Sequence, residues 1–177
     1  SIFPDLDAAL EWSEDRLLEE AGLLAPHSPV PLELEEINLL RDLDKETVDS
    51  LRPYFLEAAY EAGQKVFSRG DSGDEVCLIR KGQIRILLPI DGKRAHHIAT
   101  FGRSDFFGEV SFLDRGSRTA DAVADTPTLA YVLSRARLDE LSRSRPEIGA
   151  VLFARLAREL ALRLRHADEE LRALQES

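Results

Sequence analysis

The 177-residue chain lacks several features that mark large classes of protein. It has no apolar run near the roughly 18 residues that a membrane-spanning helix needs, and it shows no signal-peptide pattern. Its single cysteine, Cys77, excludes an internal disulfide and, within an apolar segment, is predicted to be a buried core residue. We therefore expect one cytoplasmic domain with short appendages.

Basic charge is also scarce, because 23 Lys and Arg residues face 33 Asp and Glu residues, for a formal net charge of −10. An excess of negative charge disfavours binding to DNA or to an anionic membrane, so we expect no nucleic-acid partner. The C-terminal arginines are interleaved with acidic residues and are predicted to form a solvated face or a dimer flank; they are Arg155, Arg158, Arg163 and Arg165.

Short segments punctuated by glycines predict a series of β-strands in the middle of the chain. In one segment Ile84, Ile86 and Leu88 fall on one face, which is the period of a half-buried strand. Asp91-Gly92 predicts a hairpin turn. Strands this short and this evenly spaced indicate a small barrel or jelly roll. The predicted strands are Glu57–Ala62, Gln64–Ser68, Glu75–Arg80, Gln83–Leu88, Lys93–Thr100 and Thr128–Ser134.

Helical patterns flank these strands. Before them, apolar residues recur at roughly helical spacing over residues 40–55, with Asp44 as a cap within the stretch. After them, Ser134 is predicted to cap a helix over residues 135–141, and Pro146 to open a long helix. The apolar seam of the long helix either covers the barrel or pairs with a second chain to form a homodimer; it comprises Gly149, Leu152, Leu156, Leu160, Leu164, Ala167, Leu171 and Leu174.

The most informative segment places a carboxylate nine residues before an arginine, in Phe107-Gly108-Glu109 and Arg118-Thr119. The planar fork of Arg118 suits the two free oxygens of an anionic phosphodiester, and Gly108 lets a phosphate approach the backbone. Glu109 suits a ribose 2'-hydroxyl, and the Thr119 hydroxyl can donate to phosphate or to a purine edge. Together these residues match the phosphodiester and the ribose 2'-hydroxyl of a cyclic nucleotide, although Glu109 and Arg118 taken alone also fit a surface ion pair.

Residues from about 37 to 175 resemble the cyclic nucleotide-binding domain family. The resemblance rests on motifs that occur in the family's order, namely Gly63, Gly70-Asp71, Gly73-Asp74, Gly82, Phe107-Gly108-Glu109 and Arg118-Thr119-Ala120. It implies a mainly β domain over residues 36–177, with an eight-stranded antiparallel jelly-roll barrel, N-terminal helices and a two-helix C-terminal lid. It also implies a non-enzymatic regulatory module that binds cyclic AMP or cyclic GMP and needs no further cofactor. The ligand-binding residues it implies are Phe107, Gly108, Glu109, Val110, Ser111, Arg118, Thr119 and Ala120.

The stretch Gly108–Ala120 corresponds to the family's phosphate-binding cassette and is called the cassette below. Phe112 departs from the family's pattern, which often has a small residue and then Leu after the Glu-hydrophobic pair. We predict that the Phe112 ring packs inward as a hinge contact; the alternative is a ring that narrows the pocket. The long C-terminal helix is then expected to move against the cassette through Phe112 and Leu113.

The N-terminal piece points to a preceding domain. Residues 1–24 are predicted to hold a helix over Asp5–Ala21, and residues 25–35 a Pro-rich linker. Leu6–Leu18 resembles the last helix of STAS domains in bacterial SulP-type anion transporters, some of which carry a cyclic nucleotide-binding domain after it; an amphipathic acidic helix is the alternative. The resemblance implies the cytoplasmic sensor of a sulfate or other anion transporter, covalently preceded by a STAS-like domain. A chain that lacks methionine and starts at serine is expected to be an excised piece.

Two other classes of function stay open. A domain of the same fold that binds no nucleotide would serve as a docking or dimerisation surface. A metal-dependent enzyme on a similar barrel is the third class, but the adjacent His96 and His97 point to opposite faces of a strand and are poorly placed to chelate together. No nucleophile–base arrangement stands out, so we expect neither enzymatic activity nor a metal site.

Overall fold

The computed structural model describes residues 30–91 and 94–175 of the chain. The chain divides into one unit of residues 1–31 and a second of residues 32–177, and the second holds the elements of the fold. The predicted helix over Asp5–Ala21, residues 25–29 of the predicted linker and the Gly92 turn lie outside the described residues. The end of the predicted linker was assigned wrongly, because Leu32 and Leu34 are buried in the hydrophobic core and the second unit begins at Leu32, ahead of the predicted domain start at residue 36. No helix within the described ranges is long and apolar enough to cross a bilayer.

Eight strands in the described residues form two antiparallel four-stranded sheets, which fit a jelly roll. One sheet has the order β1-β8-β3-β6 and the other the order β2-β7-β4-β5. The strands are β1 (Leu56–Tyr60), β2 (Lys65–Phe67), β3 (Glu75–Lys81), β4 (Ile84–Asp91), β5 (Arg94–Phe101), β6 (Phe106–Phe107), β7 (Asp121–Ala124) and β8 (Thr128–Ser134).

The six predicted strands are present, but two further strands were missed. Strand β6 has only two residues, too few for any periodicity to appear. Strand β7 consists of Asp, Val and two alanines, and neither Asp nor Ala favours a strand by itself. It forms because Ala122 and Ala124 pair with Ile86 and Ile84 of β4, where only small side chains fit the barrel interior.

Four α-helices and two 3-10 helices lie among the described residues. The α-helices are α1 (Lys45–Leu51), α2 (Glu109–Asp114), α3 (Arg135–Ser144) and α4 (Pro146–Gln175), and the 3-10 helices are Leu34–Glu36 and Arg52–Tyr54. Asp44 caps α1 by accepting a 2.9 Å hydrogen bond from the Thr47 N–H, and Ser134 caps α3, so both predicted caps are confirmed. The helical spacing predicted up to residue 55 was too long. The α-helix stops at Leu51 because Pro53 follows, and a 3-10 turn continues to Tyr54.

Strand β3 separates two hydrophobic cores, because its side chains alternate between them. Cys77 and Ile79 pack between the two sheets, with residues of β4, β6, β7 and β8. Val76 and Leu78 pack on the other side, against the helices. The prediction of a buried Cys77 is therefore confirmed. The helical core also contains Phe112 of α2 and Leu152 and Leu156 of α4, so the cassette helix and the long helix share one packed interior.

The predicted seam of α4 is only partly correct. Gly149, Leu152 and Leu156 are buried, whereas Leu164 is 64% exposed. The apolar seam is fully buried only as far as Leu156, since Leu160 is half-buried and Leu164 is exposed. The long helix thus has a packed first half and a more exposed second half.

Candidate ligand-binding site

A cavity of about 260 Å³ lies between the cassette and the sheet that contains β4 and β5. All eight residues implied by the family resemblance line it, and so do five residues that sequence reasoning did not select. The eight are Phe107, Gly108, Glu109, Val110, Ser111, Arg118, Thr119 and Ala120, and the five are Phe67, Ile86, Ile98, Ala99 and Phe101. The structure therefore brings the cassette residues to one wall and apolar strand residues to the other. The assignment of ligand-binding roles to them stays a prediction.

The cassette starts with a backbone turn that only glycine accommodates readily. Gly108 has φ +80°, in the left-handed region, and precedes the first residue of α2. A Cβ at this position would lie 2.7 Å from Nη1 of Arg118 and 2.9 Å from the carbonyl oxygen of Glu75. The glycine thus lets the Arg118 guanidinium lie directly against the turn.

Arg118 is a buried cation, with 6% of its surface exposed. Its Nη1 donates to the carbonyl oxygens of Glu75 (2.8 Å) and Gly108 (2.9 Å) and to Oγ of Ser111 (3.0 Å). The guanidinium lies 4.1 Å from the centre of the Phe67 ring. Among the described residues it forms no ion pair with a carboxylate, and its buried Nε has no hydrogen-bond partner. The positive charge is therefore solvated only by neutral groups.

These contacts refine the predicted role of the Arg118 fork. Because three protein oxygens already surround Nη1, that nitrogen is committed to holding the side chain in place. The edge formed by Nε and Nη2 is the one left for the two oxygens of an anion.

Two neighbouring acidic groups do not neutralise Arg118 at neutral pH. Burial raises the pKa of the Cys77 thiol to about 12, and burial likewise raises the pKa of the Tyr60 phenol. The positive charge of Arg118 opposes both increases but does not cancel them. Both groups stay protonated, so the buried guanidinium keeps an uncompensated charge.

Glu109 is buried as well, but it has a cationic partner. Its Oε1 accepts a 3.2 Å hydrogen bond from Nη1 of Arg163 on α4. Nη2 of Arg163 donates to the carbonyl oxygen of Phe106 at 2.8 Å, and its guanidinium lies over the rings of Phe101 and Phe106, 4.3 and 4.2 Å from their centres. The carboxylate predicted to bind ribose is therefore already held by the long helix.

The prediction of a solvated arginine face on α4 was wrong for two of its four members. Arg163 contacts the cassette, and Arg155 donates to the carbonyl oxygens of Leu39 (3.1 Å) and Arg41 (2.6 Å). The pattern of charges along a helix does not reveal which long side chains reach another element. One usable signal existed, because Arg163 lies two turns beyond the buried Leu156 on the same helix face.

The remaining cassette side chains divide into buried and exposed sets. The Phe112 ring is fully buried in the helical core, which confirms the predicted inward packing. It does not line the cavity, so the alternative prediction of a ring that narrows the pocket was wrong. Val110 and Thr119 are exposed at the cavity. His96 and His97 lie on β5, and the described part of the chain holds no group of three or more His, Cys, Asp or Glu residues placed to bind a metal.

The antiparallel jelly roll and its cassette-lined cavity fit the domain class that the motifs indicate. The chain belongs to the cyclic nucleotide-binding domain family, whose pattern matches residues 57–145. A crystal structure of a cyclic nucleotide-binding domain from Methylobacillus flagellatus kt is similar to it, with a TM-score of 0.71, 31% sequence identity and coverage of 81% of this chain and 80% of that one.

Two longer proteins are also similar to the chain. The cyclic AMP receptor protein of Thermus thermophilus is 37% identical over 133 residues, which cover 75% of this chain and 60% of the receptor. Glutaminase 1 of Bradyrhizobium diazoefficiens is 30% identical over 160 residues, which cover 90% of this chain and 25% of the glutaminase. The chain thus spans less than two thirds of the receptor and about a quarter of the glutaminase.

Proposed function

We propose that this chain is a non-enzymatic regulatory module that binds cyclic AMP or cyclic GMP in the cassette-lined cavity. The observation that carries the proposal is the uncompensated charge of Arg118. A buried cation without a counter-ion is costly, and it becomes favourable when a ligand supplies the anion. A cyclic phosphate carries one negative charge on two oxygens, which the Nε–Nη2 edge can bind in a bidentate manner.

The other walls of the cavity suit the rest of such a ligand. Glu109 accepts a hydrogen bond from the ribose 2'-hydroxyl, and the apolar side chains of Ile86, Ile98 and Phe101 cover the base. The exposed Thr119 hydroxyl is available to phosphate or to a purine edge. Because Ile86, Ile98 and Phe101 offer no hydrogen-bonding side-chain groups, they do not by themselves distinguish adenine from guanine.

The proposed regulatory output is a movement of α4. Phe112 of the cassette helix packs in the same core as Leu152 and Leu156 of α4. Because that core is close-packed, a shift of the cassette changes the packing of the long helix. The ligand can move α4 only to the extent that it binds more tightly to one position of the helix than to the other. The two C-terminal helices act in this view as a lid.

Isothermal titration calorimetry on wild type and Arg118→Gln tests the proposal. Wild type is expected to bind cyclic AMP or cyclic GMP, and loss of one or two charge-assisted hydrogen bonds should weaken binding roughly 10- to 100-fold. Arg115→Gln is the matched control, because Arg115 is an exposed arginine three residues earlier that pairs with Asp139 at the surface. Equal affinity of wild type and Arg118→Gln would sink the assignment.

A second candidate function is a ligand-free docking or dimerisation module. It is favoured by exposed apolar residues on α4, of which Leu164 is 64% and Val151 40% exposed, and they suit a homodimer through this helix. A thermal-shift assay with millimolar cyclic nucleotide separates the candidates, because a ligand that binds only the folded state must raise Tm. Light scattering at several protein concentrations then measures dimer formation independently.

The proposed cellular context rests on sequence alone. The resemblance of Leu6–Leu18 to STAS domains supports a cytoplasmic module that follows a STAS-like domain in a sulfate or other anion transporter. The net charge of −10, and the engagement of Arg155 and Arg163 by protein oxygens, support a module that binds no nucleic acid. Co-purification of the full-length protein with membranes, against its loss when only this chain is expressed, tests the context.

A further inference from the structure

The ring of Phe67 covers one face of the buried Arg118 guanidinium. The guanidinium carbon lies 4.1 Å from the centre of the ring. The electron-rich face of an aromatic ring attracts a cation placed within about 6 Å of its centre. All N–H groups of a guanidinium point outward in its plane, so a ring on the face takes none of them. Phe67 therefore attracts the charge and leaves its hydrogen-bond donors available.

A bulge in β2 explains why Phe67 faces the interior of the barrel. Lys65 pairs with Val123 of β7 and Phe67 with Ala122, so β2 has one residue more than β7 over this stretch. In a regular strand, neighbouring side chains point to opposite faces. Here Val66 and Phe67 both pack against the core between the two sheets, as a bulge that re-aims a side chain allows. The ring thereby reaches the cavity wall.

A carboxylate partner would hold Arg118 in a different way. It accepts hydrogen bonds from the in-plane edge of a guanidinium, which is the edge that the two oxygens of a cyclic phosphate need. A ligand would then have to displace that carboxylate before it could bind. The Phe67 ring covers the face, so the ring and an anion can contact the guanidinium at the same time. The ring is itself supported, because its centre lies 5.9 Å from that of the Phe107 ring.

We propose that Phe67 is the positioning residue for the anion: its ring holds the Arg118 guanidinium by one face, in the place of a carboxylate, and leaves the edge for the phosphate. The inference rests on the proposed function and deepens it. Without the ring, the buried cation gains by turning toward water at the mouth of the cavity. The apparent affinity for the anion then falls in proportion to the fraction of molecules that keep Arg118 in place.

The test changes the charge distribution of the ring while keeping its shape. Calorimetry with cyclic AMP is done on wild type, on Phe67→Leu, and on proteins with 4-fluorophenylalanine or pentafluorophenylalanine at position 67. Fluorine withdraws electron density from the face of the ring and weakens its attraction for a cation. Phe67→Leu and the pentafluoro protein are expected to bind about fivefold more weakly than wild type, and the 4-fluoro protein to lie between.

The fluorinated series separates positioning from simple packing. If Phe67 served only as part of an apolar wall, the pentafluoro ring, which is apolar and nearly the same shape, would bind cyclic AMP as wild type does. That result overturns the proposal. The matched control carries pentafluorophenylalanine in place of Phe55, whose ring is buried against that of Tyr131 and does not line the cavity. Its affinity should stay within about twofold of wild type.

Nuclear magnetic resonance of the free protein gives a readout that needs no ligand. The Nε–H group of Arg118 is buried and has no hydrogen-bond partner among the described residues, so its proton should exchange slowly with water. Phe67→Leu should speed this exchange at least about tenfold, because the guanidinium then leaves its buried position more often. An unchanged rate overturns the role of Phe67. Wild type that binds no cyclic nucleotide overturns the proposed function instead.

Discussion

The two charged ends of the cavity are built on opposite principles. At the proposed phosphate end, Arg118 is buried against neutral oxygens and a ring and has no carboxylate partner among the described residues. At the proposed ribose end, Glu109 is buried and already paired with Arg163. The charge of Arg118 has no counter-ion. The charge of Glu109 is paired with Arg163, which lies 54 residues further along the chain on α4.

Because only Glu109 is paired with α4, we expect the two ends of the cavity to contribute differently to affinity and to regulation. An anion that reaches Arg118 gains from relieving a buried charge, whatever the position of α4. A hydroxyl that reaches Glu109 gains in a way that depends on Arg163, and therefore on α4. We infer that the phosphate end supplies most of the binding free energy, while the ribose end reports the ligand to the helix.

After Arg118→Gln, the largest loss of affinity for cyclic AMP is expected from a substitution that displaces the Arg118 guanidinium but keeps its charge. In Gly73→Ala a Cβ would contact Oγ of Ser111 and come within 2.5 Å of Arg118 Nε. The guanidinium must shift, so affinity for cyclic AMP should fall about tenfold through loss of a charge-assisted contact. Calorimetry measures the affinity, and circular dichroism melting confirms that the variant is folded.

The control for that substitution is Gly102→Ala. A Cβ at Gly102 meets no atom within 4 Å, and its backbone is outside the left-handed region. It should bind as wild type does. Gly73→Ala that also binds as wild type would mean that Arg118 relocates freely, which contradicts a fixed phosphate end.

A smaller effect on affinity is expected from Glu109→Gln. The amide keeps the shape of the side chain but accepts a weaker hydrogen bond from the ribose, so binding of cyclic AMP should weaken about fivefold. Because Arg163 loses the charge of a buried partner, Tm without ligand should also fall by about 2–4 °C. Titration calorimetry and differential scanning calorimetry give the two values.

Glu109→Gln also tests the comparison between the two ends directly. Affinity for 2'-deoxy cyclic AMP should change less than about twofold, because this ligand makes no hydroxyl contact. A loss of equal size for both ligands would show that Glu109 acts on the phosphate end, and the separation of the two ends would then be wrong.

Local signals in the sequence were sufficient to predict that Gly108 and Arg118 lie close together. Gly108 and Arg118 lie ten residues apart in a segment that forms one turn and a short helix, so their motif implies their proximity. Caps at Asp44 and Ser134 were predicted for the same reason, since a cap and the N–H it satisfies are three residues apart. Strands whose apolar and polar residues alternate clearly, such as β4, could also be predicted from the sequence.

The ribose end was not predictable, because its partner depends on how α4 packs. In the sequence Arg163 differs from Arg165 only by its spacing of two helical turns from Leu156, yet Arg163 contacts the cassette and Arg165 is exposed. The direction of a side chain on a long helix follows from the crossing of helix and barrel, which depends on the whole helical core. Strand β7 was missed for a related reason, since its alanines are selected by the space beside β4.

The smallest effect on affinity is expected at the other arginine by which α4 is attached. Arg155 donates to the carbonyl oxygens of Leu39 and Arg41, and none of these three residues lines the cavity. Arg155→Gln should lower Tm by about 2–4 °C through the loss of these hydrogen bonds, and change affinity for cyclic AMP less than about twofold. Arg158→Gln, at an exposed position one turn on, is the control.

The Arg155 result decides how α4 is coupled to the ligand. If α4 docked as a single rigid unit, weakening either attachment would loosen Glu109, and Arg155→Gln would reduce the preference for the 2'-hydroxyl as much as Arg163→Gln does. Since Arg163 has its own anchor on Phe106, we expect the preference to survive in Arg155→Gln. If the preference for the 2'-hydroxyl is kept in Arg155→Gln, the attachment of α4 has been weakened without a change in recognition of the ribose. The coupling then depends on the Arg163 side chain near the cavity and not on the stability of α4 as a whole.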